Sequence, residues 1–430
     1  MDNVDIPEVI ITGGGNCSVY DAKTGSLVAS YKDTCNITSK TLATIMDFYF
    51  IGAVENQPTL KVWRISKAPK QLKEKAKFVC PGIVNTLTIS NCNHFCLAGI
   101  EEEIYVWRIN SGDLLAVLSR HYQAISTIKF TPDDSRFFSG GKDGHVMTWL
   151  FSHVVSASID NEIKTPLTIW NHHSAEVTDI YCGNCRVATV SLDMTCKLYE
   201  VDSGRLLTTI CMNASLTSVV MDPIECLVFL GDDKGYLYTI DTYKELSEVI
   251  DEDETSEGRL RIHDSKIISL SVSFEGNKLL TASAKSCKLI DIQAMTCIVN
   301  IVPDCGRFSN AFLALKPGVL MTQDELFPPI FIKRFDRILT ENDPELRKFV
   351  ETKLENRKSH FAENSILDET FDCKYVNKAH VSSSGIMDPN AEAVFQKSFF
   401  AENVSELKSV NNQMYAYMVN MNMANMQEKK

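Results

Sequence analysis

Residues 121–149 read HYQAISTIKFTPDDSRFFSGGKDGHVMTW, and this stretch decides the fold. Apolar and polar side chains alternate in residues 125–130, a pattern typical of a half-buried β-strand. Pro132 and the two aspartates that follow it are turn residues, and residues 137–141 form a second strand-like run. Asp143-Gly144 then predicts a tight hairpin before a third strand that ends at Trp149. The stretch therefore predicts three antiparallel strands introduced by His121.

Similar units recur along the first two thirds of the chain. Each ends in an aromatic or large apolar residue, at Tyr20, Trp63, Trp107, Trp149, Tyr199, Ile240 and Ile290. Successive end residues are 43, 44, 42, 50, 41 and 50 positions apart. His121, His173 and His263 precede their end residues by 28, 26 and 27 positions. A period of about 40–45 residues is typical of WD repeats, whose units are four-stranded propeller blades.

The spacing predicts an all-β fold, a seven-bladed WD40 β-propeller with a C-terminal α-helical extension. A β-sandwich with accidental periodicity is the alternative, and seven regularly spaced units argue against it. The repeat is degenerate, because the terminal Trp-Asp dipeptide is never intact and Ile290-Asp291 is its nearest form. The hairpin aspartate is present at Asp143 and Asp193, whereas Lys285 occupies that region of the last unit. We therefore expect the buried Asp–His–Ser–Trp hydrogen-bond network to be absent or partial in most blades.

The ends of the repeat region predict how the ring closes. Residues 9–12, 17–20 and 27–31 give three strands with no fourth before them, and an alternating run follows much later at residues 308–315. We expect that run to be the inner strand of the N-terminal blade, which would remove an open sheet edge. Residues 327–335, which contain Pro328-Pro329, should pack against the rim as an extended segment. The predicted divisions are a propeller at 1–335, a short helix and linker at 336–390, and a coiled-coil helix at 391–430.

The run LSRHYQ at residues 118–123 is more specific than a generic repeat. Further specific features are Phe130-Thr131, residues 139–144, Trp149, residues 80–82, residues 97–99, residues 170–173 and residues 191–193. On these residues the chain resembles the family of the vertebrate WD repeat-containing protein 18. The resemblance runs through the propeller, is most specific in the third and fourth units, and is weak over roughly residues 320–390.

The resemblance implies a non-catalytic scaffold subunit of the rixosome. That nuclear complex is associated with late pre-60S ribosomal particles and with removal of internal transcribed spacer 2 from pre-rRNA. The implied partners are the proline-, glutamate- and leucine-rich scaffold protein, the testis-expressed subunit, the midasin AAA ATPase and the pre-60S particle. The implied location is the nucleus, in nucleolus and nucleoplasm. The alternative is a WD-repeat adaptor or substrate receptor in a signalling or ubiquitin-ligase assembly, with a peptide bound on one face.

The last forty residues contain neither Pro nor Gly and predict one long helix. Its apolar seam consists of Phe400, Leu407, Val410, Met414, Tyr417 and Met421, which follow a heptad pattern. We expect a parallel homodimeric coiled coil or pairing with a partner helix. Docking of this helix on its own propeller is the alternative.

Composition bounds the function. The chain has 43 Lys and Arg against 55 Asp and Glu, a net charge of −12, which argues against sequence-independent binding of phosphate backbones. No run approaches the roughly 18 apolar residues of a membrane span, so no membrane role is expected. The N-terminus lacks the features of a signal peptide. Fourteen scattered cysteines then indicate a reducing compartment, the cytosol or the nucleus.

Motifs for catalysis or metal binding are weak. Cys182 and Cys185 have the spacing of a redox or half-zinc motif, yet they lie on a predicted turn and no second pair follows. A thiol oxidoreductase built on them is a third hypothesis, which a structural turn outweighs. Residues 13–15, GGG, lack the Lys of a phosphate-binding loop and predict a hairpin bend. We expect no enzyme activity, no cofactor and no metal.

Two charged stretches remain. Lys67, Lys70, Lys73, Lys75 and Lys77 predict a basic loop after the Trp63 strand, a solvated face that is also the best candidate for touching rRNA or an acidic partner. Residues 251–257 carry an acidic run in a long insertion before His263. We expect that insertion to be a disordered loop, with an interaction role as the alternative.

Overall fold

The computed structural model describes residues 7–31, 36–66, 76–156, 164–242, 249–251, 259–303, 306–321, 332 and 335–337. All of these lie within Met1–Arg347, the first of the two units into which the chain divides; the second is Lys348–Lys430. The strands of the described ranges form seven sheets, six of four strands and one of five. The predicted seven-bladed propeller is therefore confirmed.

Each blade is described from its inner strand, next to the central axis, to its outer strand. Blade 1 is the exception, because its inner strand comes from the end of the repeat region and is described last. Blade 1 contains β1 (Glu8–Gly14), β2 (Cys17–Asp21) and β3 (Leu27–Tyr31), and blade 2 contains β4 (Ala43–Ile45), β5 (Tyr49–Ala53), β6 (Thr59–Arg64) and β7 (Ala76–Val79). Blade 3 contains β8 (Val84–Ile89), β9 (Phe95–Ile100), β10 (Glu103–Arg108) and β11 (Leu114–Ser119). Blade 4 contains β12 (Ile125–Phe130), β13 (Arg136–Gly141), β14 (Val146–Leu150) and β15 (Thr168–Trp170), with helix α1 (Phe151–Ser156) between its last two strands.

The remaining blades follow the same order. Blade 5 contains β16 (Val177–Cys182), β17 (Arg186–Ser191), β18 (Thr195–Glu200) and β19 (Leu206–Cys211). Blade 6 contains β20 (Leu216–Met221), β21 (Leu227–Asp232), β22 (Tyr236–Asp241) and β24 (Arg259–Arg261), and between the last two β23 (Val249–Asp251) pairs in parallel with β19 of blade 5. Blade 7 contains β25 (Ile267–Val272), β26 (Lys278–Ser283), β27 (Cys287–Asp291) and β28 (Cys297–Ile301). After them come β29 (Phe308–Leu315) and helix α2 (Gly318–Met321).

Ring closure is made by β29, which is the inner strand of blade 1. It pairs antiparallel with β1, from Glu8 opposite Leu315 to Gly14 opposite Phe308. On one side, the Ser269 hydroxyl of blade 7 donates to the Ala311 carbonyl (2.7 Å). On the other, the Asn310 amide donates to the Thr38 carbonyl of blade 2 (2.8 Å). This is the closure that the alternating run at residues 308–315 predicts.

The core lies between neighbouring blades. In β1, Val9 and Ile11 belong to the cluster shared with Phe50 and Trp63 of blade 2. Ile10, which points the other way, belongs to the cluster shared with blade 7. Because alternate residues of one strand face opposite neighbours, both faces of a blade are buried, and stacking in a ring supplies both partners.

The two ends of the ring differ. We call the upper end the one that carries the connections between blades and the turns between second and third strands. The lower end carries the turns between inner and second strands. There, carboxylates fasten one blade to the next: Asp134 accepts from the Asn91 backbone N–H (2.8 Å), and Glu225 from that of Cys185 (3.0 Å). The inner strands surround a central cavity of about 420 Å³.

Candidate functional site: the blade networks and the outer surface

The seven end residues of the repeat occupy one structural position. All lie on the third strand of their blades, which are β2, β6, β10, β14, β18, β22 and β27. All are buried, from Tyr20 at 7% exposure to Trp149 and Tyr199 at 0%. They fill the grooves between blades, so their contribution is to packing.

Blade 4 contains a complete hydrogen-bond network. The Trp149 indole N–H donates to the Ser139 hydroxyl (3.0 Å), and that hydroxyl donates to Nε2 of His121 (2.8 Å). Nδ1–H of His121 then donates to the Asp143 carboxylate (3.1 Å), which also accepts from the Tyr122 backbone N–H (3.0 Å). Burial alone would raise the pKa of Asp143, but the hydrogen bonds from His121 and the backbone lower it to about 2.

Blade 5 repeats this network with a threonine in place of the serine. His173 bonds the Asp193 carboxylate through Nδ1 (3.0 Å) and the Thr189 hydroxyl through Nε2 (2.8 Å). Burial opposes ionisation of Asp193, yet its hydrogen bonds hold its pKa well below the usual range. In the neighbouring His172, Nδ1 is 3.0 Å from the Tyr199 hydroxyl oxygen, within hydrogen-bond distance.

Blade 7 has a histidine network without a carboxylate. His263 contacts the Thr281 hydroxyl through Nε2 (3.0 Å) and the Ser286 hydroxyl through Nδ1 (2.9 Å). The Ser286 hydroxyl, and not Lys285, thus makes the contact with the histidine Nδ1 that aspartate makes in blades 4 and 5. Burial, together with the nearby Lys288 ammonium, lowers the pKa of His263 to about 4. Among the described residues, a histidine that bonds both an aspartate and a hydroxyl residue occurs in two of the seven blades, consistent with a degenerate repeat.

Sequence reasoning missed the hydroxyl residues at the centre of these networks. Ser139, Thr189 and Thr281 lie 10, 10 and 9 positions before their end residues. Each stands on the second strand opposite the residue two before the end residue, for example Ser139 opposite Met147. A hydroxyl residue nine or ten positions before the end residue was the available signal.

A strap from the end of the first unit covers the groove between blades 2 and 3. We use this name for the described residues Ile332, Phe335, Asp336 and Arg337. The Phe335 ring is 4% exposed and stacks on Phe78 (4.8 Å between centroids) and Trp107 (5.4 Å). The Trp107 indole N–H donates to the Asp336 backbone carbonyl (2.7 Å). The Asp336 backbone N–H donates to the Gly112 backbone carbonyl (2.8 Å). Phe335 thus packs against the rim, as predicted for the end of the 327–335 segment; residues 327–331, 333 and 334 lie outside the described ranges.

The cysteine pair lies on a turn between strands. Cys182 ends β16, and Cys185 precedes β17, with both backbone N–H groups at residues 184 and 185 bonded to Glu225. Desolvation raises the pKa of Cys182, which disfavours the nucleophilic thiolate. Among the described residues no group of His, Cys, Asp or Glu side chains could hold a metal ion. The turn therefore has a structural explanation in its Glu225 contacts.

The charged stretches lie partly outside the described ranges. Lys67, Lys70, Lys73 and Lys75 fall there, but Lys77 lies on β7 opposite Lys61, so its assignment to a loop was wrong. Asp251 ends β23, so the expectation of a disordered loop was wrong at that residue; residues 252–257 are not described. The predicted seam of Phe400, Leu407, Val410, Met414, Tyr417 and Met421 also lies outside the described residues. No helix in the described part of the chain is long and apolar enough to cross a membrane.

Comparison with known proteins places this architecture. Residues 112–149 match the WD domain, G-beta repeat family. WD repeat-containing protein 18 of Danio rerio is 37% identical over 339 residues, which cover 76% of this chain and 76% of that protein. The Homo sapiens protein of the same name is 33% identical over 332 residues, 75% of each chain. Pre-rRNA-processing protein pro-1 of Caenorhabditis elegans is 26% identical over 332 residues, 72% of this chain and 59% of that protein.

The two relatives of this name align with about three quarters of this chain and about three quarters of their own length. Identity above 30% over that span goes well beyond the generic repeat. The chain belongs to the WD repeat-containing protein 18 family.

Proposed function

We propose that the protein is a non-catalytic scaffold subunit that acts in pre-rRNA processing and ribosome biogenesis. Membership in the WD repeat-containing protein 18 family carries this proposal. The similarity to a protein named for pre-rRNA processing supports it. The geometry agrees, because His121, His173 and His263 are each held at both ring nitrogens by neighbouring side chains.

At finer detail, we propose that the protein works in the nuclear rixosome, on pre-60S particles and on removal of internal transcribed spacer 2. The proposed partners are the proline-, glutamate- and leucine-rich scaffold protein, the testis-expressed subunit and midasin. Its proposed location is the nucleolus and nucleoplasm. A net charge of −12 favours protein partners over direct contact with RNA.

Depletion of the protein tests the role in processing. We expect precursors that retain internal transcribed spacer 2 to accumulate, and re-expression of the full chain to restore normal levels; northern blotting measures both. Affinity purification of the tagged chain from nuclear extract should recover pre-60S factors. Recovery of ubiquitin-ligase subunits instead, with unchanged precursor levels, would favour the adaptor alternative.

We also propose that residues 391–430 mediate self-association through the Phe400–Met421 seam. Sedimentation equilibrium of the full chain should give a dimer mass, and a chain that ends at residue 390 should give a monomer mass. If the full chain also sediments as a monomer, homodimerisation is contradicted.

A further inference from the structure

The lower end of blades 6 and 7 carries an exposed apolar patch. Ile224 is 77% exposed and Phe274 is 68% exposed. They lie in the turns between the inner and second strands of these neighbouring blades. The two turns are close together at Gly276 and Pro223. A Cβ atom built on Gly276 would lie only 3.1 Å from Cδ of Pro223, so there is no room for a side chain between them. Pro223 is also exposed, so the two neighbouring turns present three exposed apolar side chains at the lower end.

The fold does not require apolar residues at these turn positions. In blade 4 the residue equivalent to Ile224 is Asp133, and in blade 3 the residue equivalent to Phe274 is Asn91. Asp and Asn are typical of such turns because their side chains bond nearby backbone groups. Two large apolar side chains that bury little of their surface contribute little to stability, and exposed apolar patches mark interaction sites.

The patch continues onto blade 1. The Phe274 backbone N–H donates to the Glu8 carboxylate (2.6 Å), and Glu8 stands opposite Leu315 in the β1–β29 pairing. Leu315 is 50% exposed and lies on the same face of β29 as Ala311 and Leu313, which pack against blade 7. We call Pro223, Ile224, Phe274 and Leu315 the lower patch.

The surroundings of the lower patch are acidic. Among the described residues at the lower end of these three blades, five solvent-accessible carboxylates outnumber three ammonium groups; they are Glu8, Asp21, Asp241, Glu275 and Asp291 against Lys23, Lys278 and Lys316. An apolar surface among carboxylates is complementary to apolar side chains flanked by Lys or Arg.

We propose that the lower patch binds a segment of another protein whose large apolar residues are flanked by basic residues. Phe274 and Ile224 are the anchoring contacts, since the most exposed large side chains of a patch lose the most water on binding. The surface is independent of the pre-rRNA role, because it follows from exposure and charge alone.

Site-specific photo-crosslinking in cells tests this surface. The full tagged chain would carry p-benzoylphenylalanine at position 274, and a control chain would carry it at position 122. Tyr122 is 83% exposed at the upper end. We expect position 274, and not position 122, to cross-link to another protein within a peptide rich in apolar residues and Lys or Arg. Cross-links to an acidic peptide, to RNA, to this chain's own residues, or none above the control would overturn the proposal.

A charge-introducing variant provides the second test. Ile224→Asp combined with Phe274→Asp should reduce co-purification of the cross-linked partner at least tenfold. Its melting temperature should match that of the natural chain, because both side chains are exposed. Tyr122→Asp is the matched control and should retain the partner. Full retention by the folded double variant would overturn the proposal.

Discussion

Blades 3 and 4 are neighbours that place a tryptophan at the same position but complete its hydrogen bond in different ways. In blade 4 the Trp149 indole N–H donates to Ser139 on the adjacent strand. In blade 3 the equivalent residue is Ala98, which has no side-chain acceptor, and the Trp107 indole N–H donates instead to the Asp336 carbonyl. That acceptor is 229 positions away in sequence. A degenerate repeat can thus be completed by a distant segment.

Blade 2 shows the third outcome. Gly52 stands at the position of Ser139, and among the described residues the buried Trp63 indole nitrogen has no hydrogen-bond partner. An unsatisfied buried donor costs about 1–3 kcal/mol. The ring tolerates this cost because Trp63 still fills the groove between blades 1 and 2. Packing is therefore the shared role of the three tryptophans, and the hydrogen bond varies.

The largest expected effect comes from removing the strap. A chain that ends after residue 331 should be less stable than a chain that ends after residue 337, by about 4 kcal/mol, since a buried phenylalanine and the acceptor of Trp107 are lost. Urea denaturation followed by tryptophan fluorescence measures the difference. Equal midpoints for the two truncated chains would show that blade 3 does not depend on the strap.

The network of blade 4 should be nearly as important. Asp143→Ala leaves His121 Nδ1–H and two backbone N–H groups without their acceptor, and we expect a loss of about 3 kcal/mol. Asp202→Ala is the control, because Asp202 is 92% exposed in its ion pair with Arg136 and should cost little. Both are measured as shifts of the urea midpoint. A similar midpoint for the two variants would contradict a structural role of the network.

The histidine network of blade 7, which has no aspartate, should make the stability of the protein depend on pH. The pKa of His263 is lowered to about 4 from an ordinary value of 6.5, so the unfolded chain binds the proton more readily. Stability should therefore be fully present above pH 6.5 and fall as the pH drops towards 4. We expect this group to contribute a loss of about 2 kcal/mol between pH 7 and pH 5. His263→Gln should have a flatter stability profile in that window, and an unchanged slope would contradict the assignment.

The smallest effect should come from giving blade 3 its own acceptor. Ala98→Ser places a hydroxyl where blade 4 has Ser139. In the chain that ends after residue 331 it should recover about 1 kcal/mol, whereas in the chain that ends after residue 337 the indole is already bonded and little should change. The difference between the two backgrounds cancels any packing cost of the hydroxyl. Identical effects in both backgrounds would show that the strap and the hydroxyl serve different groups.

The elements that could be predicted from the sequence are those set by local patterns. The spacing from Tyr20 to Ile290 predicts seven third strands, and His121 with Asp143 predicts a network in blade 4. The alternating run at residues 308–315 predicts ring closure because its apolar period matches an inner strand. Each of these features can be recognised from a local pattern or from the regular spacing of such patterns, even where the strands that pair are far apart in sequence.

The features that were missed depend on contacts between distant residues or on substitutions of equivalent chemistry. Ser286 replaces aspartate because a hydroxyl can also bond His263, and a search for carboxylates cannot find it. The bond from Trp107 to Asp336 joins residues with no shared sequence pattern. The pairing of β23 with blade 5 likewise arises from an insertion in a different blade.

The strap has a mechanical consequence for the ring. The chain passes through β29, then α2, and then fixes Phe335 and Asp336 beside Trp107 before it continues. Force applied to residues beyond 337 therefore acts first on the groove between blades 2 and 3. The strand that closes the ring is loaded only after Phe335 leaves its place between two aromatic rings. A scaffold that is pulled through its C-terminal residues can thus remain a closed ring.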